Sequence, residues 1–165
     1  MPVDTRRLWR KPVRVYADTS VFGGIFDQEF KRGSRLFLEQ VKQERFQLVV
    51  SALVREEVDE APAHIRALFA GYAPLAETCE ISEESVSLRS AYIEAGIVTQ
   101  KSLADALHVA LASVNDCVMI VSWNFRHIVH VEKASAYNAV NLSLGYRPLV
   151  ICSPPEVTRY EEETL

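Results

Sequence analysis

Two adjacent segments constrain the fold more than any other part of the sequence: a helical segment that is apolar nearly all round, and a continuous apolar run after it. The segment Leu103 to Val114 carries apolar side chains on almost every face, so it needs cover from a sheet and from a neighbouring helix. The run Cys117 to Val121 is apolar at every position, which is typical of an interior strand in a parallel sheet covered on both faces. The sequence therefore predicts a layered α/β domain.

Strand and helix patterns alternate along the rest of the chain. Alternating or β-rich runs predict further strands, and helical spacing with caps predicts the connecting helices. This order predicts a three-layer α/β/α fold with a mostly parallel central sheet. We expect residues 1–153 to form one domain and residues 154–165 to form a C-terminal tail. The predicted strands are 13–17, 46–50, 117–121 and 149–151, and the predicted helices are 31–44, 52–60, 63–70, 83–95, 103–114 and 132–144.

Cysteine usage and hydropathy exclude several classes of protein. The three cysteines, Cys79, Cys117 and Cys152, are odd in number and far apart, so we expect free thiols and neither disulfides nor a zinc site. No apolar run approaches the roughly 20 residues that cross a bilayer, and Met1 to Lys11 is too charged for a signal peptide. These features predict a cytoplasmic protein without a membrane segment.

The charge distribution argues against binding of nucleic acid by bulk electrostatics. The formal net charge is −4, whereas such binders usually carry a basic excess. Basic residues crowd the start of the chain and acidic residues crowd its end; both runs are typical of solvated termini. They are Arg6, Arg7, Arg10, Lys11 and Arg14, and Glu161 to Glu163.

Four polar side chains are expected at one edge of the predicted sheet. Asp18 and Asn124 follow two strands, while Glu57 and Asp105 lie early in two helices. Ligands of open parallel sheets bind beyond the carboxyl ends of the strands, where the helices begin. Clustered carboxylates suit Mg²⁺ or Mn²⁺, which take oxygen ligands and retain water. The pattern therefore predicts a hard-metal site.

Each carboxylate also has an alternative explanation. Helical geometry places Glu57 beside the apolar stripe of its helix and Glu56 toward water, so Glu57 needs a metal or a basic partner; a structural salt bridge would also suffice. Ser102 and Asp105 match a capping box, which explains Asp105 as well as metal binding does. Asp18 could form an Asx-type turn after its strand.

The remaining histidine and aromatic residues are weaker indications of a functional site. His108, His127 and His130 lack zinc-type spacing and are interpreted as core or surface histidines. Trp123 and Phe125 could stack on a base, but aromatic residues beside a strand end usually pack locally. No P-loop, dinucleotide-binding or hydrolase-elbow motif occurs.

Four sequence blocks, spread over nearly the whole chain, resemble PIN domains, especially VapC-type toxins and their bacterial relatives. The last two blocks are the most specific in order and spacing. Asp116, at the start of a strand, would lie at the wrong edge of the sheet for the site. The blocks are Val-Tyr-Ala-Asp18-Thr-Ser, Ser51-Ala-Leu-Val-Arg-Glu-Glu57-Val, Asp105-Ala-Leu-His-Val-Ala and Asp116-Cys-Val-Met-Ile-Val-Ser-Trp-Asn124-Phe-Arg-His.

The resemblance implies a ribonuclease that uses Mg²⁺ or Mn²⁺ to hydrolyse RNA. Asp18, Glu57 and Asp105 would be its acidic metal-site residues, and Asn124 would stand where many members carry a further Asp. Thr19 and Ser122 would support them from the outer shell. Because an amide brings no charge to a second cation, Asn124 favours a single ion.

The resemblance also implies partners. A type II toxin of this kind pairs with a cognate antitoxin, and a homodimer is a further expectation. A non-catalytic PIN-like module that binds RNA or protein, with a degraded metal site at Asn124, is the alternative. A phosphatase with Asp18 as nucleophile would need a second acid where Ser20 stands.

Overall fold

The computed structural model describes residues 12–158, and a five-stranded sheet runs through this part of the chain. Every pairing in the sheet is parallel. The order is β3-β2-β1-β4-β5, so the first strand of the chain lies at the centre. The strands are β1 (Val13–Ala17), β2 (Phe46–Ser51), β3 (Glu77–Cys79), β4 (Met119–Val121) and β5 (Val150–Cys152).

Helices connect the strands and cover the sheet in two groups, as the three-layer prediction requires. The first four contact one another or β2, and α5 packs on both α6 and α7. Single 3₁₀ turns span Gly24–Phe26, Ala73–Leu75 and Gln100–Ser102. The helices are α1 (Thr19–Gly23), α2 (Lys31–Lys42), α3 (Ala52–Asp59), α4 (Ala63–Tyr72), α5 (Glu83–Glu94), α6 (Leu103–Val114) and α7 (Val131–Ser143).

The core lies on both faces of the central strands. Val15 and Tyr16 of β1 are fully buried, as are Ile120 and Val121 of β4. All eight residues from Ala106 to Ser113 in α6 are buried, which confirms that this helix needs cover on every side.

The boundary of the predicted tail is wrong. Residues 154–158 form a helical turn directly after β5. Val157 and Thr158 are 4% and 2% exposed, and Val157 belongs to the hydrophobic core. Pro154, taken as the start of a tail, instead stands at the first position of this helical turn, where its missing N–H costs nothing.

Some of the predicted features lie outside residues 12–158, and others can be checked within that range. The basic residues Arg6, Arg7, Arg10 and Lys11 and the acidic run 161–163 lie outside the described residues. All three cysteines are free, as expected. Among residues 12–158, no helix is both long and apolar enough to cross a membrane.

Candidate functional site

The strand order places a crevice between β1 and β4. From β1 the chain moves outward to β2 and β3 and then returns across the sheet to β4 on the other side of β1. Such a reversal opens a crevice at the carboxyl ends of the two strands, which is the usual place for a ligand. Asp18 follows β1 directly, and Ser122 follows β4 directly.

Asp18 is buried in this crevice with both carboxylate oxygens hydrogen-bonded. Its side chain caps α1, since Oδ1 accepts from the backbone N–H and the hydroxyl of Ser20. Oδ2 accepts from the Ser122 hydroxyl at 2.6 Å. The Asx-type turn considered as an alternative is therefore present. The same carboxylate is only 4% exposed and lies in the crevice between β1 and β4.

Glu57 lies on α3 and faces the crevice, whereas Glu56 faces solvent as helical geometry predicted. Glu57 Oε1 accepts from the Thr19 hydroxyl at 2.9 Å and lies 2.6 Å from His108 Nε2. Among residues 12–158, its basic partner is thus a histidine of α6. Oε2 accepts no hydrogen bond from any residue in the range 12–158.

Asp105 is not part of a capping box, so that alternative is wrong. A 3₁₀ turn capped by Thr99 precedes α6, and the Ser102 N–H donates to the Thr99 carbonyl at 2.9 Å. Ser102 makes no side-chain cap. Asp105 Oδ1 instead accepts from Asn124 Nδ2 at 2.9 Å.

Asn124 is held at both ends of its amide. Nδ2 donates to Asp105, and Oδ1 accepts from the backbone N–H of His127 at 2.9 Å. Its own N–H donates to the Ser122 hydroxyl at 2.9 Å. Rotating the amide by 180° would set oxygen against carboxylate and NH₂ against N–H, so these partners fix its orientation. Asn124 is thereby placed to orient Asp105.

Trp123 anchors the loop that carries Ser122 and Asn124. Its indole N–H donates to the Ser34 hydroxyl at 2.8 Å, and its ring stacks on Phe30 at 4.3 Å. A Cβ on Gly33 would lie 2.7 Å from the indole, so glycine is needed for this close approach. Trp123 therefore packs locally, as predicted, whereas Phe125 beside it is 48% exposed.

One network joins all four predicted residues and both supporting hydroxyls. It runs from Asp105 through Asn124 and Ser122 to Asp18, whose chain neighbour Thr19 reaches Glu57. The predicted convergence at the carboxyl edge is therefore present as geometry.

The three carboxylates influence one another electrostatically. Burial raises the pKa of Asp18 and of Asp105, and the charge of Glu57 raises both further. Burial alone would raise the pKa of Glu57, but the hydrogen bonds from His108 and Thr19 lower it. A cation between them would relieve this repulsion.

The arrangement is open and does not form a closed cage. Within residues 12–158, no three His, Cys, Asp or Glu side chains converge closely enough to enclose a metal ion. Glu57 Oε2 and Asp105 Oδ2 have no hydrogen-bond partner in that range. The donor set offers oxygen atoms of the kind that Mg²⁺ binds through one or two carboxylates and several waters.

Sequence reasoning missed the part played by His108 and Tyr16. His108 is the core histidine it was taken to be, at 3% exposure, but its ring bridges Glu57 and the Tyr16 hydroxyl. One sequence signal places His108 on the same side of α6 as the site, though it does not identify the contact with Glu57: His108 lies three residues after Asp105, and residues three apart share a face of a helix.

Comparison with known proteins gives a match at the level of fold. No protein-family profile and no curated protein matches the sequence. The structure is similar to a chain in the crystal structure of VapBC2 from Rickettsia felis bound to a DNA fragment from their promoter, with a TM-score of 0.52. The match has 13% sequence identity and covers 69% of this chain and 90% of that one. It supports the predicted three-layer, PIN-like α/β/α fold, and at this identity the likeness concerns the fold alone.

Proposed function

We propose that this protein is a divalent-metal-dependent ribonuclease that hydrolyses RNA phosphodiester bonds. The observation that carries the proposal is that hydrogen bonds, together with the chain link between Asp18 and Thr19, connect Asp18, Glu57 and Asp105 at the crevice between β1 and β4. The charge of Glu57 raises the pKa of both aspartates, of which Asp18 is buried, and a bound cation would offset this repulsion.

The residues have separate tasks in this proposal. Asp18 and Asp105 hold Mg²⁺ or Mn²⁺, and Glu57 ligates through Oε2 or orients the attacking water. When bound, the ion polarises the scissile phosphate and lowers the pKa of a water molecule. Asn124 fixes Asp105 through its amide, while Ser122 and Thr19 fix Asp18 and Glu57 through their hydroxyls.

The proposal extends to a biological context, the toxin of a type II toxin–antitoxin pair. Its support is the fold likeness to a chain of VapBC2 together with the sequence blocks that resemble VapC-type toxins. The partner would be a cognate antitoxin. A search for a small open reading frame beside the gene, followed by co-expression and co-purification of its product, tests this part separately.

One observation favours a second candidate, a non-catalytic PIN-like module that binds RNA or protein. Both ends of the Asn124 amide are already bonded within the protein. Because an amide is neutral, this position supplies no charge for a second ion. A site reduced to one ion, or to none, would suit a binding module.

A chelator-controlled cleavage assay separates the two candidates. The protein is incubated with a mixed pool of RNA in Mn²⁺ or Mg²⁺, with and without EDTA. Cleavage that stops with EDTA and falls by on the order of 10³-fold in Asp18→Asn is expected, since a metal supplies several kcal/mol and each 1.36 kcal/mol is tenfold in rate.

Glu56→Gln is the matched control, because it removes an exposed carboxylate beside Glu57 on the same helix. It should cleave like the parent protein. Cleavage that persists in EDTA or in Asp18→Asn contradicts the metal-nuclease proposal, and absence of both cleavage and Mn²⁺ binding favours the module.

A further inference from the structure

A chain of buried hydrogen bonds ends on Glu57. His108 Nε2 lies 2.6 Å from Glu57 Oε1, and His108 Nδ1 lies 2.7 Å from the Tyr16 hydroxyl. That hydroxyl lies 2.7 Å from Ser51 Oγ, which accepts from the Val54 N–H as the cap of α3. Tyr16 and Ser51 are fully buried, so no water competes for these bonds.

The direction of this chain follows from its two ends. Ser51 Oγ accepts from Val54 and has one proton to give, for which Tyr16 is the acceptor within residues 12–158. Tyr16 then gives its own proton to His108 Nδ1, and the ring proton on Nε2 points at the Glu57 carboxylate. In this arrangement every donor has an acceptor.

The reverse direction leaves one proton without a partner. If Tyr16 donated to Ser51, the Ser51 hydroxyl would need another acceptor, and the residues described offer none. A ring with its single proton on Nδ1 would also set a bare nitrogen 2.6 Å from a carboxylate oxygen. Unsatisfied buried groups of this kind are costly, so the first direction is favoured.

The chain fixes one oxygen of Glu57 and leaves the other available. Oε1 accepts from both Thr19 and His108, whereas Oε2 accepts from neither. A free glutamate side chain loses rotamer entropy when a ligand orders it. With Oε1 held from two sides, that ordering precedes any ligand.

We propose that His108 is a positioning residue, which with Thr19 clamps Glu57 Oε1 and presents Oε2 as a one-oxygen ligand to the cation. This inference rests on the proposed function. His108 itself does not touch the ion or the RNA. Ser51 caps the same helix that carries Glu57, so the clamp ties the start of α3 to its functional carboxylate through β1 and α6.

Mn²⁺ affinity of the full-length protein, measured by electron paramagnetic resonance, tests the clamp without relying on cleavage. His108→Leu should bind Mn²⁺ roughly 10- to 100-fold more weakly, the usual effect of losing a group that orients a ligand. His108→Gln should recover affinity to within about threefold, since its amide nitrogen can donate from nearly the same place. His130→Leu, at an exposed histidine, is the matched control and should bind like the parent.

The outcomes separate the clamp from the function. If the parent binds Mn²⁺ and His108→Leu binds it equally well, or His108→Gln is as weak as His108→Leu, the clamp is overturned. If the parent itself binds no Mn²⁺, the proposed function fails. If His108→Leu does not fold, the comparison uses Tyr16→Phe, which keeps the ring and should weaken binding by several-fold.

A spectroscopic measurement tests the direction of the chain independently of any metal. Long-range ¹H–¹⁵N correlation of labelled, metal-free protein should show His108 with its proton on Nε2 and an unprotonated, hydrogen-bonded Nδ1. In Tyr16→Phe the Nδ1 resonance should shift as its donor is lost. A proton on Nδ1 in the parent protein would overturn the proposal.

Discussion

Helix α6 carries two buried polar networks, one at each end, and they are built differently. At its carboxyl end, Ser113 accepts from Asn141 Nδ2 at 2.9 Å and donates to the Val109 carbonyl, while Tyr92 donates to Asn141 Oδ1. At its amino end, Asp105 and His108 join the carboxylate network of the crevice. The first network is neutral and closed, and the second is charged and has unused oxygens.

The difference separates stability from function within a single helix. A neutral network whose groups satisfy one another stabilises the fold, because breaking it leaves buried groups unpaired. A cluster of carboxylates that repel one another costs stability, and the cation of the proposed function would offset that cost. Changes at the two ends of α6 should therefore have opposite consequences.

The largest expected effect is the loss of cleavage in Asp105→Asn. The new amide can still accept from Asn124 but brings no charge to the ion, so the cleavage rate should fall by on the order of 10²- to 10³-fold. Urea denaturation of the metal-free variant should give a free energy of unfolding within about 1 kcal/mol of the parent value. Full cleavage activity in this variant would contradict the metal-binding role proposed for the network at the amino end of α6.

The next largest effect belongs to the other end of the helix. Asn141→Ala removes the partner of both Tyr92 and Ser113 and leaves a small void, so it should lower the free energy of unfolding by about 3 kcal/mol. Its Mn²⁺ affinity should stay unchanged at temperatures where it is folded. A large loss of Mn²⁺ affinity would show that the two networks are coupled.

Asn124→Asp sharpens the comparison by adding charge to the open network. A carboxylate at this position would lie against Asp105 Oδ1, so we expect the metal-free protein to lose about 1 kcal/mol of stability. Saturating Mn²⁺ should restore it, since a ligand that binds the native state stabilises it. Thermal melts with and without Mn²⁺ measure how much the ion raises the melting temperature. This increase should be larger in Asn124→Asp than in the parent protein. An equal increase would show that position 124 does not face the ion.

The smallest effect is a dependence of stability on pH. The pKa of Asp105 is raised in the folded protein, so the metal-free native state binds protons more tightly than the unfolded chain does. Ionisation of Asp105 therefore lowers the free energy of unfolding as pH rises through the raised pKa of the folded protein. This loss is absent below the pKa of Asp in the unfolded chain, about 3.9.

Asp105→Asn should accordingly gain a few tenths of a kcal/mol over the parent between pH 4 and pH 7, a small value because the group is half-exposed. Urea denaturation in EDTA at the two pH values gives this difference. A gain that shrinks with rising pH would contradict the raised pKa.

The fold was predictable where the apolar pattern was strong. The run ending at Val121 and the helix from Leu103 identify β4 and α6 because burial of most of their positions leaves few polar residues. Strand β3 was missed because it has only three residues, Glu77 to Cys79, all at least partly exposed at the edge of the sheet. Helix α1 was not predicted, because it has only five residues and the pair Gly23-Gly24 at its end is typical of a loop.

The placement of the predicted residues at one edge of the sheet followed from the sequence, but their contacts did not. Helical geometry separates Glu57 from Glu56, and topology places Asp18 and Asn124 at one edge. The capping prediction for Asp105 was wrong because the 3₁₀ turn at Gln100–Ser102 takes up the Ser102 N–H, which no local pattern shows. The contact between His108 and Glu57 joins two helices that are distant in sequence, so spacing alone could not reveal it.

The central place of β1 has a consequence for how the protein acquires activity. Asp18 and Ser122, which share a hydrogen bond, are 104 positions apart, and β4 must join β1 before they meet. Contacts so distant in sequence form late in folding, because the loop between them must close first. A chain still emerging from the ribosome lacks β4 and cannot assemble the crevice. The ribonuclease activity proposed above would therefore be absent until β4 has been synthesised and has paired with β1.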